Sequence, residues 1–574
     1  MRVSARILTA LAIAGALVFC PTIAPPSRAA SQRPVAASRG MVVSPDRESA
    51  AVGLAVLRAG GNAVDAAVAT AFALAVTFPR AGNLGGGGFL LYRLPDGSHA
   101  ALDFRETAPA ALTPAHFLDA SGHVVTDRSQ NGGLAVGVPG SVAGLAEAHA
   151  RWGSRPWAEL LAPAIQLAEV GTIVSERGAE TFEEETPRLA ADPAARAIFT
   201  KDGQSLAAGA TLIQKDLAKT LRAIAEQGAK AFYSGPVADA IVKGVVAQGG
   251  VMTAKDLETY RAVPREPLVG HYRGYEIVAF PPPSSGGVVL LQALAMLERF
   301  DLRASGAGSA LTLHRIAEAE RRAFADRSEY LGDPDVVKVP MKALLDPAYL
   351  AAKGATIKDD RATPSAKVRP GPIGAGEGMN TLHFSVADAR GGAVALTTTL
   401  NSWYGAAMVA PGTGVLLNNE IDDFSLAKGV ANQFGLLGGD QNAPAGGKRP
   451  LSSMCPTIVE SKGDGHGRPL LVLGAPGGPT IISSVLQTIL HVIDDRMTLQ
   501  EAVDAPRVHH QWMPDELLYE DRGFPEDVTA KLRFRGHVLK ESKPIGNVCA
   551  IGIDAKGRWT GAPDPRDEAV ALGY

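Results

Sequence analysis

One juncture constrains this chain more than any other. A threonine, Thr381, opens a strand-like run directly behind a long stretch with almost no large apolar side chain. Residues 351–379 read AAKGATIKDDRATPSAKVRPGPIGAGEGM, with five glycines and three prolines, the composition of a linker. Thr381-Leu-His-Phe-Ser-Val-Ala-Asp388 then alternates with period two. Leu382, Phe384 and Val386 share one face; Thr381, His383 and Ser385 share the other. Ala389-Arg390-Gly391-Gly392 signals a turn, and Ala393 to Asn401 returns as a second strand with Val394, Leu396, Thr398 and Leu400 on one face. Apolar residues must oppose apolar residues, which leaves two registers. One sets Thr381 opposite Thr399, the other opposite Asn401. In both, the first residue of the strand is surrounded by hydroxyl and amide groups. A hydroxyl is a poor nucleophile without a base beside it. A threonine's own α-amine supplies that base once the preceding peptide bond is cut. The same pattern also describes a half-buried edge strand with a polar face.

Composition narrows the function classes. The 574 residues are 46% apolar, enough for a sizeable core and too many for global disorder. Lys+Arg 56 against Asp+Glu 59 leaves a net charge of −3, so no basic field exists to attract nucleic acid. The glycines at 85–88 and Gly446-Gly-Lys448 lack the GxxxxGK[ST] pattern of a phosphate loop. No HExxH, Cys/His cluster or GxSxG elbow occurs, and the adjacent His509 and His510 point apart. The expectation is therefore no organic cofactor and no catalytic metal.

Residues 1–30 read as a signal peptide. Arg2 and Arg6 form a positive region, Ile7 to Phe19 is apolar, and Ser27-Arg28-Ala29 supplies small residues for cleavage. Phe19 before Cys20 argues against a lipoprotein; the competing reading is a retained membrane anchor. The expected location is periplasmic or secreted, without stable membrane insertion after leader removal. Cys455 and Cys549 then remain, with one disulfide possible. Ala63 to Phe78 is apolar but carries Asp65 and is alanine-rich, the signature of a buried core helix.

Leu217, Leu221 and Ile224 lie on one helical face, with Asp216 a plausible N-cap and Gly228 a stop. His314 to Tyr330 interleaves Arg315, Arg321, Arg322 and Arg327 with Glu318 and Glu320, which predicts a solvated or salt-bridged helix face. The strongest internal boundary is expected near residue 380.

Several stretches, in chain order, carry a resemblance. They are Gly60-Gly-Asn-Ala-Val-Asp-Ala-Ala67, Asn83-Leu-Gly-Gly-Gly-Gly-Phe89, Asp103-Phe-Arg-Glu-Thr-Ala-Pro109 and Pro281-Pro-Pro-Ser-Ser-Gly-Gly287. Asn418-Asn-Glu-Ile-Asp-Asp-Phe-Ser425, Lys448-Arg-Pro-Leu-Ser-Ser-Met454, Gly474-Ala-Pro-Gly-Gly478 and Pro506-Arg-Val-His-His-Gln-Trp512 complete the set. Together they resemble the γ-glutamyltranspeptidases. The resemblance implies an α+β fold, the four-layer αββα sandwich of the N-terminal-nucleophile hydrolases, with two antiparallel sheets between helical layers. It implies a precursor that cuts itself at Asn380–Thr381. Residues 31–380 would form a large subunit and residues 381–574 a small one, both in one globular unit.

It also implies roles. Thr381 would be the nucleophile and Thr399 its supporting hydroxyl. Gly477 and Gly478 would form the oxyanion hole, where glycine lets backbone N–H groups come close to developing charge. Arg105 would clamp the substrate α-carboxylate, since a guanidinium fork suits a carboxylate, with Ser452 and Ser453 as further donors. Asp423, helped by Glu420 and Asn401, would hold the α-ammonium. Residues 428–449 resemble a lid loop. Phe434 stands there where many bacterial members carry tyrosine, so it can cover the site but cannot hydrogen-bond to Asn401 through a hydroxyl.

The activity implied is γ-glutamyl transfer and hydrolysis on glutathione or other γ-glutamyl compounds, with water, amino acids or peptides as acceptors. Two alternatives stand beside it. One is an acylase of the same family, acting on β-lactam side chains or poly-γ-glutamate. The other is an exported binding protein that is never processed.

Overall fold

The computed structural model describes residues 31–368, 381–461 and 468–574. The expected leader and Asn380 lie outside the described residues.

The hairpin adopts one of the two registers open to it. Leu382 faces Thr398, Phe384 faces Leu396 and Val386 faces Val394, which carries Thr381 opposite Thr399. The two strands, Leu382–Ala387 and Ala393–Thr399, lie in the middle of a seven-stranded sheet, between Met41–Ser44 and Gly87–Arg93. Every residue of both is buried, which overturns the edge-strand reading. The polar face is covered because a second seven-stranded sheet stacks on it. Ser385 Oγ donates to the carbonyls of Val472 (3.2 Å) and Cys549 (3.0 Å) in that sheet. His383 contacts Thr397 Oγ1 (2.8 Å) and Ser385 Oγ (3.1 Å), and burial pushes its pKa down to about 3. A pleated strand with polar groups facing another sheet is stable only when those groups find partners there.

The opposite face of the hairpin packs Leu382, Phe384, Val386, Val394 and Leu396 against helix Ala63–Thr77, in one core with helices Arg47–Arg58, Ser141–Trp152 and Trp157–Val170. The second sheet carries helices Gly286–Leu297, Ala310–Tyr330 and Thr480–Ile493 on its outer side. Every strand pairing within the two large sheets is antiparallel. The architecture is the four-layer αββα sandwich. Strands from both sides of residue 380 alternate within the same sheet.

Helix Ala63–Thr77 is the buried core helix that its composition suggests. Its start is fixed by a reciprocal cap: Asp65 N–H donates to Asn62 Oδ1 and Asn62 N–H to Asp65 Oδ2, both at 2.9 Å. Among the described residues no helix is long and apolar enough to cross a membrane. Cys455 and Cys549 are both buried and unpaired with each other.

Three expectations need correction or narrowing. Asp216 is not an N-cap: helix Lys215–Gln227 begins after Gln214, and Asp216 sits in its first turn, paired with Lys219 at 2.8 Å. Gln214 takes the cap position because its side chain is anchored on the Val76 carbonyl at 2.8 Å. Gly228 does end that helix, with φ 72°. The charged helix begins at Ala310, capped by Ser309; of the two readings open to it, the salt-bridged one holds and the solvated one does not. Glu318 pairs with Arg321 (3.1 Å) and Arg322 (2.8 Å), and all three are buried by segments distant in sequence. The expected linker is built into the fold as far as it is described: helix Pro347–Ala355 runs into it and Ile357 and Val368 enter the core, while residues 369–379 lie outside the described residues.

Candidate active site

The glycine run 85–88 explains how the hairpin's end is held. A Cβ on Gly86 would stand 2.0 Å from the Thr399 carbonyl oxygen, and one on Gly88 would stand 2.3 Å from that of Thr397. No side chain fits, so this strand lies flat against the strand that ends in Thr399. At the head of the run, Asn83 Nδ2 donates to the Thr399 carbonyl (2.9 Å) and to Thr398 Oγ1 (3.1 Å). Asn83 is a site-supporting residue that residue-by-residue reading missed; its signal was its place before four glycines.

The hydroxyls of Thr381 and Thr399 are 3.4 Å apart. Thr399 Oγ1 also accepts the Asn401 N–H at 2.8 Å. That N–H reaches back because Asn401 is left-handed, with φ 76°, a conformation tolerated by asparagine better than by most residues. Asn401 Nδ2 in turn donates to the Asn419 carbonyl at 3.0 Å, which ties the strand end to the segment bearing Glu420 and Asp423.

Arg105, one of the largest fully buried side chains, projects into this region. Its Nη1 meets Glu420 Oε1 and its Nη2 meets Asp423 Oδ2. Glu106 lies 3.8 Å from Nη1. The backbone of Arg105 is fixed as well: its N–H donates to Asp103 Oδ1 (2.9 Å), and Tyr260 Oη donates to its carbonyl (2.8 Å). Burial opposes the guanidinium's charge, but Glu420, Asp423 and Glu106 outweigh it and hold the group above its ordinary pKa. Burial raises all three carboxyls, and Arg105 pulls against it at each. Three buried acids around one guanidinium do not all ionise readily.

One small cavity, about 20 Å³, is lined by Arg105, Thr381, Thr399, Asn401, Glu420 and Asp423 on one side. Phe434, Ser452, Ser453 and Gly478 line it as well, together with Met454 and Ile481, which sequence reading did not single out. The structure thus brings together every expected site residue within the described segments except Gly477, which adjoins the cavity through Gly478. Gly477 and Gly478 have φ 130° and 55° and lead into helix Thr480–Ile493, whose first N–H groups and positive dipole end face this loop. Phe434 is buried; its N–H donates to Asn432 Oδ1 (3.0 Å), and Asn432 Nδ2 donates to Asp423 Oδ1 (3.2 Å).

A central-sheet threonine at the head of its strand, inside an αββα sandwich and beside a glycine-lined helix start, defines an N-terminal-nucleophile hydrolase. Comparison with known proteins narrows the class. The Gamma-glutamyltranspeptidase family model matches residues 49–574. The glutathione hydrolase proenzyme of Escherichia coli (strain K12) is 45% identical over 580 residues, covering 99% of each chain. The acylase ACY 1 proenzyme of Pseudomonas sp. (strain V22) is 40% identical over 538 residues, covering 92% of this chain and 93% of its own. The crystal structure of cephalosporin acylase from Bacillus halodurans superposes with a TM-score of 0.84 at 29% identity, covering 97% of this chain and 99% of that one. The chain belongs to the γ-glutamyltranspeptidase family and is an enzyme.

Proposed function

We propose that the chain is a self-processing γ-glutamyltransferase and hydrolase acting on glutathione and related γ-glutamyl amides. The observation that carries this reading is the single cavity shared by the two threonine hydroxyls and a charged set of both signs. Relatives of comparable similarity bear glutathione hydrolase and acylase names, so the head-group residues discriminate between them. A γ-glutamyl donor ends in an α-carboxylate and an α-ammonium on one carbon. Arg105, Ser452 and Ser453 suit the first; Asp423, Glu420 and Asn401 suit the second. A glutaryl side chain lacks the ammonium and leaves buried carboxylates without a partner, a costly arrangement.

In maturation, Thr381 Oγ attacks the Asn380 carbonyl and the peptide bond shifts to an ester. Water cleaves the ester, leaving residues 31–380 and 381–574 as two subunits. The freed α-amine of Thr381 then serves as base. Thr381 Oγ attacks the γ-amide carbonyl, its proton passes to the α-amine, and the oxyanion lies against the N–H groups of Gly477 and Gly478. The amine returns the proton to the leaving amine. Water or an acceptor amino acid or peptide then takes the γ-glutamyl group from its threonine ester. Thr399 orients the Thr381 hydroxyl, and Phe434 covers the cavity as part of a lid. Residues 1–30 direct export to the periplasm or outside.

The test is a comparison of γ-glutamyl anilide with glutaryl anilide. Turnover should favour the γ-glutamyl donor by at least about 100-fold, the order expected for a charged hydrogen-bonding group left unpaired. Preference for the glutaryl donor would make the chain an acylase.

A further inference from the structure

Arg327 is a buried arginine that the reading above does not use. It projects from helix Ala310–Tyr330 and is 5% exposed. Its buried neighbours Arg321 and Arg322 both pair with Glu318, and Arg105 pairs with Glu420 and Asp423. Among the described residues Arg327 has no carboxylate within ion-pair distance. Its bonds go to hydroxyls instead: Nε donates to Ser285 Oγ at 2.9 Å and Nη2 to Ser453 Oγ at 3.4 Å. Ser285 passes the constraint on, donating its N–H (2.7 Å) and its hydroxyl (2.6 Å) to the Ser452 carbonyl. One guanidinium therefore grips both members of the Ser452-Ser453 pair that lines the cavity.

The bond to Ser453 has a direction. A guanidinium has donors only, so it occupies a lone pair of Ser453 Oγ and leaves the hydroxyl proton to be given elsewhere. Ser453 is thereby set as a donor toward an anion in the cavity. The charge balance points the same way. Arg105 is already compensated by two carboxylates, whereas Arg327 is not. Burial lowers its pKa to about 10, with Asp423 opposing and Arg105 adding to the fall, so it stays charged at neutral pH. A buried, hydrogen-bonded charge without a counter-ion is costly unless a ligand supplies one.

We propose that Arg327 is a positioning residue for the α-carboxylate of the donor. It orients Ser453, fixes Ser452 through Ser285, and contributes positive charge that Arg105 spends on Glu420 and Asp423. The inference rests on the γ-glutamyl reading and extends it to a residue outside the cavity wall.

The experiment measures kcat and KM of the mature enzyme and of Arg327→Gln and Arg327→Lys, with γ-glutamyl anilide and with 4-aminobutyryl anilide. The second donor is the first without its α-carboxylate. Arg327→Gln is expected to lose about 30-fold in kcat/KM on the γ-glutamyl donor, mainly through KM, the range for a lost hydrogen bond to a charged group. On 4-aminobutyryl anilide it should lose less than about threefold, because the group it serves is missing. Arg327→Lys should recover most of the loss. Equal losses on both donors would mean that Arg327 only supports the fold, and no loss on either would remove it from recognition; both results overturn the inference. An unmodified enzyme without γ-glutamyl turnover would overturn the γ-glutamyl reading, and the inference with it.

Discussion

Arg105 and Asp423 are ion-paired with each other, Nη2 to Oδ2, although the proposed mechanism places them at opposite ends of the same ligand. A zwitterionic head group resolves this by exchange. Its carboxylate replaces Asp423 at the guanidinium, and its ammonium replaces the guanidinium at Asp423. Each buried charge keeps an opposite partner throughout, which a singly charged ligand cannot arrange. Removing Arg105 leaves Asp423 without its ion pair, and removing Asp423 leaves Arg105 Nη2 without its carboxylate while Nη1 keeps Glu420. Arg105→Gln and Asp423→Asn are each expected to lower kcat/KM on γ-glutamyl anilide by about 100-fold, as expected for about 1.5–3 kcal/mol of charged hydrogen bonding. Steady-state kinetics check this, with a mass spectrum establishing that each variant is still processed.

The acids around Arg105 give a second expectation. Burial holds Glu106, Glu420 and Asp423 above their ordinary pKa values, so the empty cluster retains protons that isolated carboxyls would lose. An arriving ammonium favours the ionised forms and expels a proton. Binding of glutamate should therefore release protons and tighten as pH rises through the range where the cluster titrates. Calorimetry in two buffers of different ionisation enthalpy measures this directly. Proton uptake on binding would contradict it.

Gly477 carries a backbone constraint and a chemical one. Its φ is 130°, and a Cβ there would stand 2.3 Å from Thr480 Oγ1, which itself donates to the Gly477 carbonyl at 2.7 Å. Gly477→Ala must move the loop that presents the oxyanion donors. A kcat loss of about 10²–10³ is expected, the scale for one lost donor. KM should change little, since the head-group residues are elsewhere.

The same structure shows how much of the fold was legible in the sequence and why. Strand alternation at Leu382, Phe384 and Val386 and at Val394 and Leu396 confined the hairpin to two registers, because local patterning sets which faces meet. The choice is made at the turn, where the Asp388 N–H donates to the Gly392 carbonyl (2.9 Å), Asp388 Oδ1 accepts the Gly392 N–H (3.0 Å) and Gly391 takes φ 85°; strand patterning alone does not say which of the two glycines takes that place. The burial of helix Ala310–Tyr330 was hidden from local patterning too. Arg321 bonds Ser365 Oγ, Arg322 bonds Thr363 Oγ1 (3.1 Å), and Arg327 bonds Ser285 and Ser453, all partners beyond the reach of helical spacing. The identities of Arg105, Asp423 and the serine pair came from resemblance. Their mutual pairing came from geometry, as did the support from Asn83 and Tyr260.

Glu320, on that same helix, offers a stability test. Its Oε2 accepts the His510 N–H at 2.9 Å, while Oε1 has no hydrogen-bond partner among the described residues. Burial raises its pKa from 4.5 to about 8. A raised acid is bound to its proton in the folded state after the unfolded state has lost it. Its contribution to stability is thus full below pH 4.5 and is lost as pH rises towards about 8. Glu320→Gln removes that loss. Its Tm relative to the unmodified protein should climb between about pH 5 and pH 8.5, by about 1 °C for each kcal/mol of the loss removed in a chain of this length. Calorimetric scans at the two pH values check it, and a constant difference would contradict it.

The most direct measurement is the intact mass of the purified protein beside that of Thr381→Ala. The unmodified protein should give two species, one of them running from Thr381 to Tyr574. The variant should give a single uncut chain with no γ-glutamyl anilide turnover. An unmodified protein that is uncut yet fully active, or a variant still cut after residue 380, would contradict the assignment of Thr381 as a nucleophile released by its own cleavage.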